Sequence, residues 1–234
     1  LPHEESELIM LSDALKCCGR DMILSLSPGP AQLEKAELYK QISNMWRITD
    51  DFWDKWELLY AMFERAEKWC THTGAGHWPD ADMLPIGPIK QDWDKSIRTE
   101  FTHDEQITML TLWSIFRSPL MIGCELTDMD EWTKSLLTNE EVLALLKKSR
   151  NAHQAIRQGD MIVWQADDED GNVYLAVFNT TNWSENFVVD FRALDLSGSY
   201  KMRDLWKKKD LGEIEGKLVV EVESHGAKLY RLSK

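Results

Sequence analysis

WRITDDFWDKW, residues 46–56, packs three tryptophans and three aspartates around a single arginine, Arg47. Its front, Met45 to Ile48, reads as a short strand. From Asp54 onward Trp56, Leu59, Tyr60, Phe63 and Cys70 fall on one helical stripe, so the back opens an amphipathic helix. A strand that ends in charge and leads straight into a helix is the repeating unit of parallel α/β sheets. In such sheets functional groups gather where strands end and helices begin. The plainer reading is that Asp50 or Asp54 only caps the helix that follows.

The same unit recurs on both sides. Residues 4–18 carry Leu8, Leu11 and Leu15 at helical spacing, and Gly19 ends that helix. Residues 21–26 read as a buried strand broken by Ser27-Pro28-Gly29-Pro30, and residues 31–43 return to helix. A third strand and loop surround GHWPDADML, residues 76–84. Thr102 and Glu105 form a capping box before a helix with Met109, Leu112, Trp113 and Phe116 on one face. Pro119 stops it, residues 120–123 give a fourth strand, and residues 138–141 cap a last helix running to about Arg150. After Gly159 the period changes to two, with strands expected in MIVWQ, NVYLAVFN, ENFVVDF, YKMRDLW, KLVVEV and AKLYRL. The expected fold class is therefore α/β followed by all-β. Residues 1–155 form the α/β part and residues 156–234 an antiparallel β domain. A (β/α)8 barrel needs eight strands. Four leave three options: a second half supplied elsewhere, a fragment, or an open doubly wound sheet.

Totals narrow the partners. The 234 residues carry 27 basic and 40 acidic side chains, a net charge of −13. That balance argues against nucleic acid and anionic membrane, both polyanions. No run approaches the roughly 18 apolar residues of a membrane helix. The start lacks a basic region and an apolar core, so no signal peptide is expected and location stays open. Cys17, Cys18, Cys70 and Cys124 lack zinc-site spacing, which points to unpaired thiols and no metal, with a disulfide as the alternative. Asn179 and Asn182 stand in glycosylation triplets.

Three junctions carry chemistry: residues 25–28, Arg47 with Asp50 and Asp51, and His77-Trp78-Pro79-Asp80-Ala81-Asp82-Met83. Carboxylates beside tryptophans suit glycoside hydrolysis. That reaction needs a proton donor on the leaving oxygen and a second carboxylate facing an oxocarbenium-like centre. An adjacent arginine keeps one carboxylate ionised, while a second carboxylate raises its neighbour. The bland readings are a turn role for Asp80 and core roles for the tryptophans and Met83.

Taken in order, CGRDMILSLSPGP (residues 18–30), WRITDDFWDKW, GHWPDADMLPIG (residues 76–87) and LTLWSIFRSPLMIGCEL (residues 110–126) resemble glycoside hydrolase family 27, the α-galactosidases and α-N-acetylgalactosaminidases. The resemblance implies a retaining glycosidase without cofactor. It implies the second half of a (β/α)8 barrel, strands five to eight, followed by a C-terminal antiparallel β-sandwich. The family's Trp-Arg-x-x-x-Asp motif falls on Trp46, Arg47 and Asp51. Asp51 is then the general acid/base and Arg47 a sugar ligand. Trp78, Asp82 and Met83 fall at ligand-lining positions, although Pro79 and Ala81 depart from the family pattern. Ser27 stands where α-galactosidases carry a glutamate beside the 2-hydroxyl, which leaves room for an acetamido group. The family also holds β-L-arabinopyranosidases. Its nucleophile motif, Lys-Tyr/Phe-Asp, has no counterpart here, so the missing N-terminal half of the barrel is expected as a partner, from the same protein or another chain. The implied substrate is a galactose-type oligosaccharide or glycoconjugate, and the isolated chain is expected to be inactive. The competing expectation is a non-catalytic carbohydrate-binding or scaffold protein derived from that fold.

Overall fold

The structure is a computed structural model that describes residues 4–27, 29–92 and 95–234, with Gln91, Asp92 and Lys95 described by backbone alone. Pro28 lies outside the described residues. The first part alternates helix and strand: α1 (Glu5–Cys17), β1 (Ser25–Leu26), α2 (Ala36–Ile42), β2 (Met45–Arg47), α3 (Trp56–Trp69) and β3 (Trp78–Asp80). A hairpin, β4 (Pro88–Asp92) and β5 (Lys95–Arg98), precedes α4 (His103–Phe116), α5 (Glu131–Leu137) and α6 (Glu140–Lys148).

Strands β1, β2 and β3 are parallel and adjacent, with Leu26 opposite Trp46 and Arg47 opposite Asp80. A parallel bridge from Leu84 to Ile122 marks a fourth position. These are four consecutive staves of a (β/α)8 barrel, its second half. The strands are shorter than the sequence suggests. The expected strand at residues 21–26 shrinks to two residues because Met22 and Ile23 are exposed and only Leu24 reaches Asn44. The expected strand at residues 120–123 is a single bridge, since Met121 and Ile122 are also exposed.

The helices behind the sheet form where expected except α5, which the sequence reading leaves out. Thr102 Oγ1 accepts the Glu105 N–H and Glu105 Oε2 accepts the Thr102 N–H, a reciprocal cap. Helix α4 is buried on nearly every side because sheet and helices both press on it. At α6 the cap is Asn139, whose side-chain oxygen accepts from Glu141 and Val142. The helix stops at Lys148, and Arg150, expected to close it, begins a strand instead.

The β domain comprises β6 (Arg150–Gln158), β7 (Met161–Asp167), β8 (Val173–Asn179), β9 (Glu185–Asp190), β10 (Ser199–Asp204), β11 (Lys209–Glu215), β12 (Lys217–Val222) and β13 (Ala227–Ser233). Six form an antiparallel sheet in the order β11-β10-β13-β8-β7-β6, and β12 pairs with β9. One face of the large sheet packs Val163, Leu175 and Val177 against Val189, Leu218 and Val222 of the small one. The other face sends Trp164 and Phe178 toward the barrel helices, where they meet Phe116 and Phe63. Alternation of side chains along β7 and β8 thus buries both faces. Strands β6 and β11 escape the sequence reading because they are edges: β11 is almost wholly exposed, and β6 has no run of large apolar residues. All four cysteines are free thiols. Asn179 is buried, its side-chain amide donating to the carbonyls of Trp183, Val222 and Glu223, so that triplet is unavailable for glycosylation.

Candidate active site

Arg47 is the last residue of β2, and its guanidinium organises what lies beyond the strand ends. Nη2 meets Asp51 Oδ1 at 2.7 Å, Nη1 lies 3.7 Å from Asp82 Oδ2, and Nε donates to the Thr49 carbonyl at 3.2 Å. Two hydrogen-bond acceptors and one further carboxylate around one planar cation fix its orientation. The Arg47 side chain is only 12% exposed, whereas that of Asp51 is 76% exposed. The pair therefore has a fixed cation beneath and an accessible carboxylate above.

The loop after β2 is pinned by its next residue. Phe52 is buried against Trp113 at 5.0 Å between ring centres, and its N–H donates to Asp82 Oδ2 at 2.7 Å. Asp82 thus serves both the arginine and the loop that carries Asp51. Asp82 adopts a left-handed backbone, φ 74°, which is strained for a residue other than glycine. Two contacts hold it: its N–H donates to Asp80 Oδ1 at 2.9 Å, and its carbonyl accepts the Trp113 indole N–H at 3.0 Å. The neighbouring Ala81 N–H is taken by Ser118 Oγ.

Asp80 sits at the end of β3, nearly buried. Burial is the main cause that pushes its carboxyl up to about 6, and the charge of Asp82 adds to it; the Asp82 N–H and Arg47 oppose the shift. Its role is to hold the Asp82 turn rather than to face solvent.

The residues singled out in the sequence divide accordingly. Arg47, Asp51 and Asp82 come together. Met83 follows directly, and its thioether lies over Gly123, where a Cβ would stand 2.7 Å from the sulfur. Ser27 lies just beyond the end of β1, exposed, with its carbonyl accepting the Gly29 N–H. Trp78 is the correction. It opens β3, pairing with Met45 at the start of β2, and the Arg117 guanidinium lies 4.8 Å over its ring. Because the strands are parallel, that is the end away from Arg47, so Trp78 joins a structural stack and does not reach the carboxylate cluster. Sequence reasoning missed Trp113 and Ser118 as supports. Both lie in helical or post-helical positions that read as core, and only an unpaired indole N–H needing an acceptor hinted otherwise.

Comparison with known proteins gives a consistent set of relatives. Residues 3–148 match the family profile described as alpha galactosidase A, and residues 158–232 match that of the alpha galactosidase C-terminal beta sandwich domain. A variant of a family 27 β-L-arabinopyranosidase from Geobacillus stearothermophilus, solved with arabinose, is 49% identical with a TM-score of 0.95, covering 99% of this chain and 55% of that one. A candidate α-N-acetylgalactosaminidase from Bacillus halodurans is 39% identical with a TM-score of 0.81, covering 97% and 53%. Alpha-galactosidase 2 of Arabidopsis thaliana is 28% identical over 228 residues, 96% of this chain and 55% of its own length. The chain spans about half the length of the relatives it matches.

Proposed function

We propose, for a chain that belongs to glycoside hydrolase family 27, that it supplies the acid/base half of a retaining glycosidase acting on terminal sugars of galactose configuration. The observation that carries the proposal is the Arg47–Asp51–Asp82 cluster at the ends of β2 and β3. The half of the catalytic barrel in this chain ends with α6 at Lys148, and the β domain that braces it begins with β6 at Arg150, a few residues before the boundary expected at 155/156.

In this reading Asp51 acts first in its carboxylic-acid form, giving its proton to the leaving oxygen as the glycosidic bond breaks. The anomeric carbon bonds to a nucleophilic carboxylate from the other barrel half. Asp51 then takes a proton from water, which displaces that carboxylate. Arg47 fixes the Asp51 carboxylate and offers the sugar a donor. Asp82 and Met83 line the ring, and Ser27 leaves room beside its 2-position. This chain brings one of the two carboxylates the mechanism needs, so it is inactive until paired with the first barrel half.

The 49% identity to a β-L-arabinopyranosidase supports a galactose-like pyranose without its hydroxymethyl group as the preferred sugar, ahead of galactose and N-acetylgalactosamine. The test joins or mixes this chain with the first half of the barrel. It then compares kcat/KM on 4-nitrophenyl β-L-arabinopyranoside, α-galactoside and α-N-acetylgalactosaminide, with the product anomer followed by NMR. The expected result is the highest value for the arabinopyranoside with retention of configuration. Inversion, or no hydrolysis of any of the three, contradicts the proposal.

A further inference from the structure

A groove of about 580 Å³ runs between the loop that opens α3 and the β4–β5 hairpin. Its lining includes Trp53, Leu58, Ile89 and Ile97 together with the charged Glu57 and Arg98. The volume is in the range of small-molecule sites. Trp53 is 45% exposed and Ile97 39%, so two large apolar surfaces face solvent together. The groove walls are tied, because the Glu100 N–H, just past the hairpin, donates to Asp54 Oδ2.

The position of Trp53 relative to Asp51 gives the groove a meaning. Asp51 is exposed, Phe52 is buried and Trp53 is exposed again. Asp51 and Trp53 thus flank one buried residue and both present their side chains to solvent, two positions apart in the chain. Phe52 is the pin: its ring is in the core and its N–H is held by Asp82. A group whose oxygen receives a proton at Asp51 therefore continues toward the indole of Trp53.

We infer that Trp53 is the platform of a leaving-group subsite, stacking on a pyranose ring attached to the scissile oxygen, with Ile89 and Ile97 as its far wall. An indole face with aliphatic and charged neighbours suits a sugar ring, which offers C–H groups on its faces and hydroxyls at its edge. The substrate class is thus an oligosaccharide rather than a glycoside with a compact leaving group. This inference rests on Asp51 handling the leaving-group proton.

The experiment uses the complete barrel and two substrates with the same terminal sugar: a disaccharide, and the glycosyl fluoride, whose leaving group carries no ring. Trp53→Ala is expected to lower the ratio of kcat/KM for disaccharide over fluoride roughly tenfold, the worth of one stacked contact. Trp53→Phe, which keeps an aromatic face, is expected to restore most of it. An unchanged ratio in Trp53→Ala, or no recovery in Trp53→Phe, overturns the subsite while leaving the glycosidase reading intact. Failure of the unsubstituted barrel to hydrolyse either substrate overturns that reading as well, and the subsite with it.

Discussion

Glu105 Oε1 and His225 Nδ1 lie 2.7 Å apart, although 120 residues separate them in the chain. Glu105 belongs to the first turn of α4, and His225 to the turn before β13. The same imidazole stacks flat on Trp56 at 3.6 Å, and the His225 carbonyl accepts the Thr108 hydroxyl proton. One residue of the β domain therefore touches both helices, α3 and α4, that stand behind the proposed site. His225→Ala removes the stack and leaves a buried carboxylate short of a partner. We expect a loss of roughly 2–3 kcal/mol, seen as a lower melting temperature. An unchanged melting curve contradicts a bracing role.

Asp80 gives a pH signature. Its carboxyl holds a proton to about 6 in the folded chain, against 3.8 unfolded. Between those values the folded state binds more protons than the unfolded one. Stability therefore falls as pH rises through that window and levels off above it. The displacement corresponds to at most roughly 3 kcal/mol. Asp80→Asn keeps an oxygen for the Asp82 N–H and removes the titration. Urea denaturation at pH 4, 5 and 7 is expected to show the variant gaining stability relative to the parent as pH rises. A difference that stays constant with pH places the pH dependence elsewhere.

Arg47→Lys tests the guanidinium. Lysine keeps the charge but cannot serve Asp51, Asp82 and the Thr49 carbonyl from one plane. Losing a charge-assisted hydrogen bond is worth about 1.5–3 kcal/mol, so kcat/KM of the complete barrel is expected to fall roughly tenfold to a hundredfold. Activity within twofold of the parent contradicts the placement.

The juxtaposition of Arg47 with Asp51 in the candidate site is legible in the sequence. Arg47 and Asp51 are legible because a strand end followed by a helix puts charge at a sheet's edge, and the four-residue spacing survives the turn between. The capping box at Thr102 and Glu105 is local and was equally plain. The place of Trp78 at the start of β3, away from Arg47, is not legible, because a motif does not reveal which end of a three-residue strand its first residue occupies. The left-handed turn at Asp82 was invisible because it depends on Asp80 and on Trp113, 31 residues away. Edge strands β6 and β11 gave no apolar signal, since exposure removes the pressure that writes one.

Gly123 is a geometric requirement. A Cβ there would lie 2.7 Å from Met83 Sδ and 3.1 Å from the Leu84 carbonyl oxygen, which already accepts the Gly123 N–H at 3.0 Å. The sulfur can move aside, but the backbone carbonyl cannot without breaking the bridge that marks the fourth stave. Gly123→Ala is expected to destabilise by about 1–3 kcal/mol, read by denaturant midpoint. A parental midpoint means the two segments separate freely.

The proton-handling role of Asp51 is tested most directly by Asp51→Asn in the complete barrel, with an activated aryl glycoside and added azide. The aryl group departs without an acid, so the covalent intermediate still forms, but water then lacks its base. Turnover is expected to fall about 10²–10⁴-fold. Azide, which needs no base, attacks the anomeric carbon, releases the enzyme carboxylate and restores turnover as a glycosyl azide of retained configuration. Turnover close to that of the parent, or a slow variant that azide neither accelerates nor diverts to the azide product, contradicts that role.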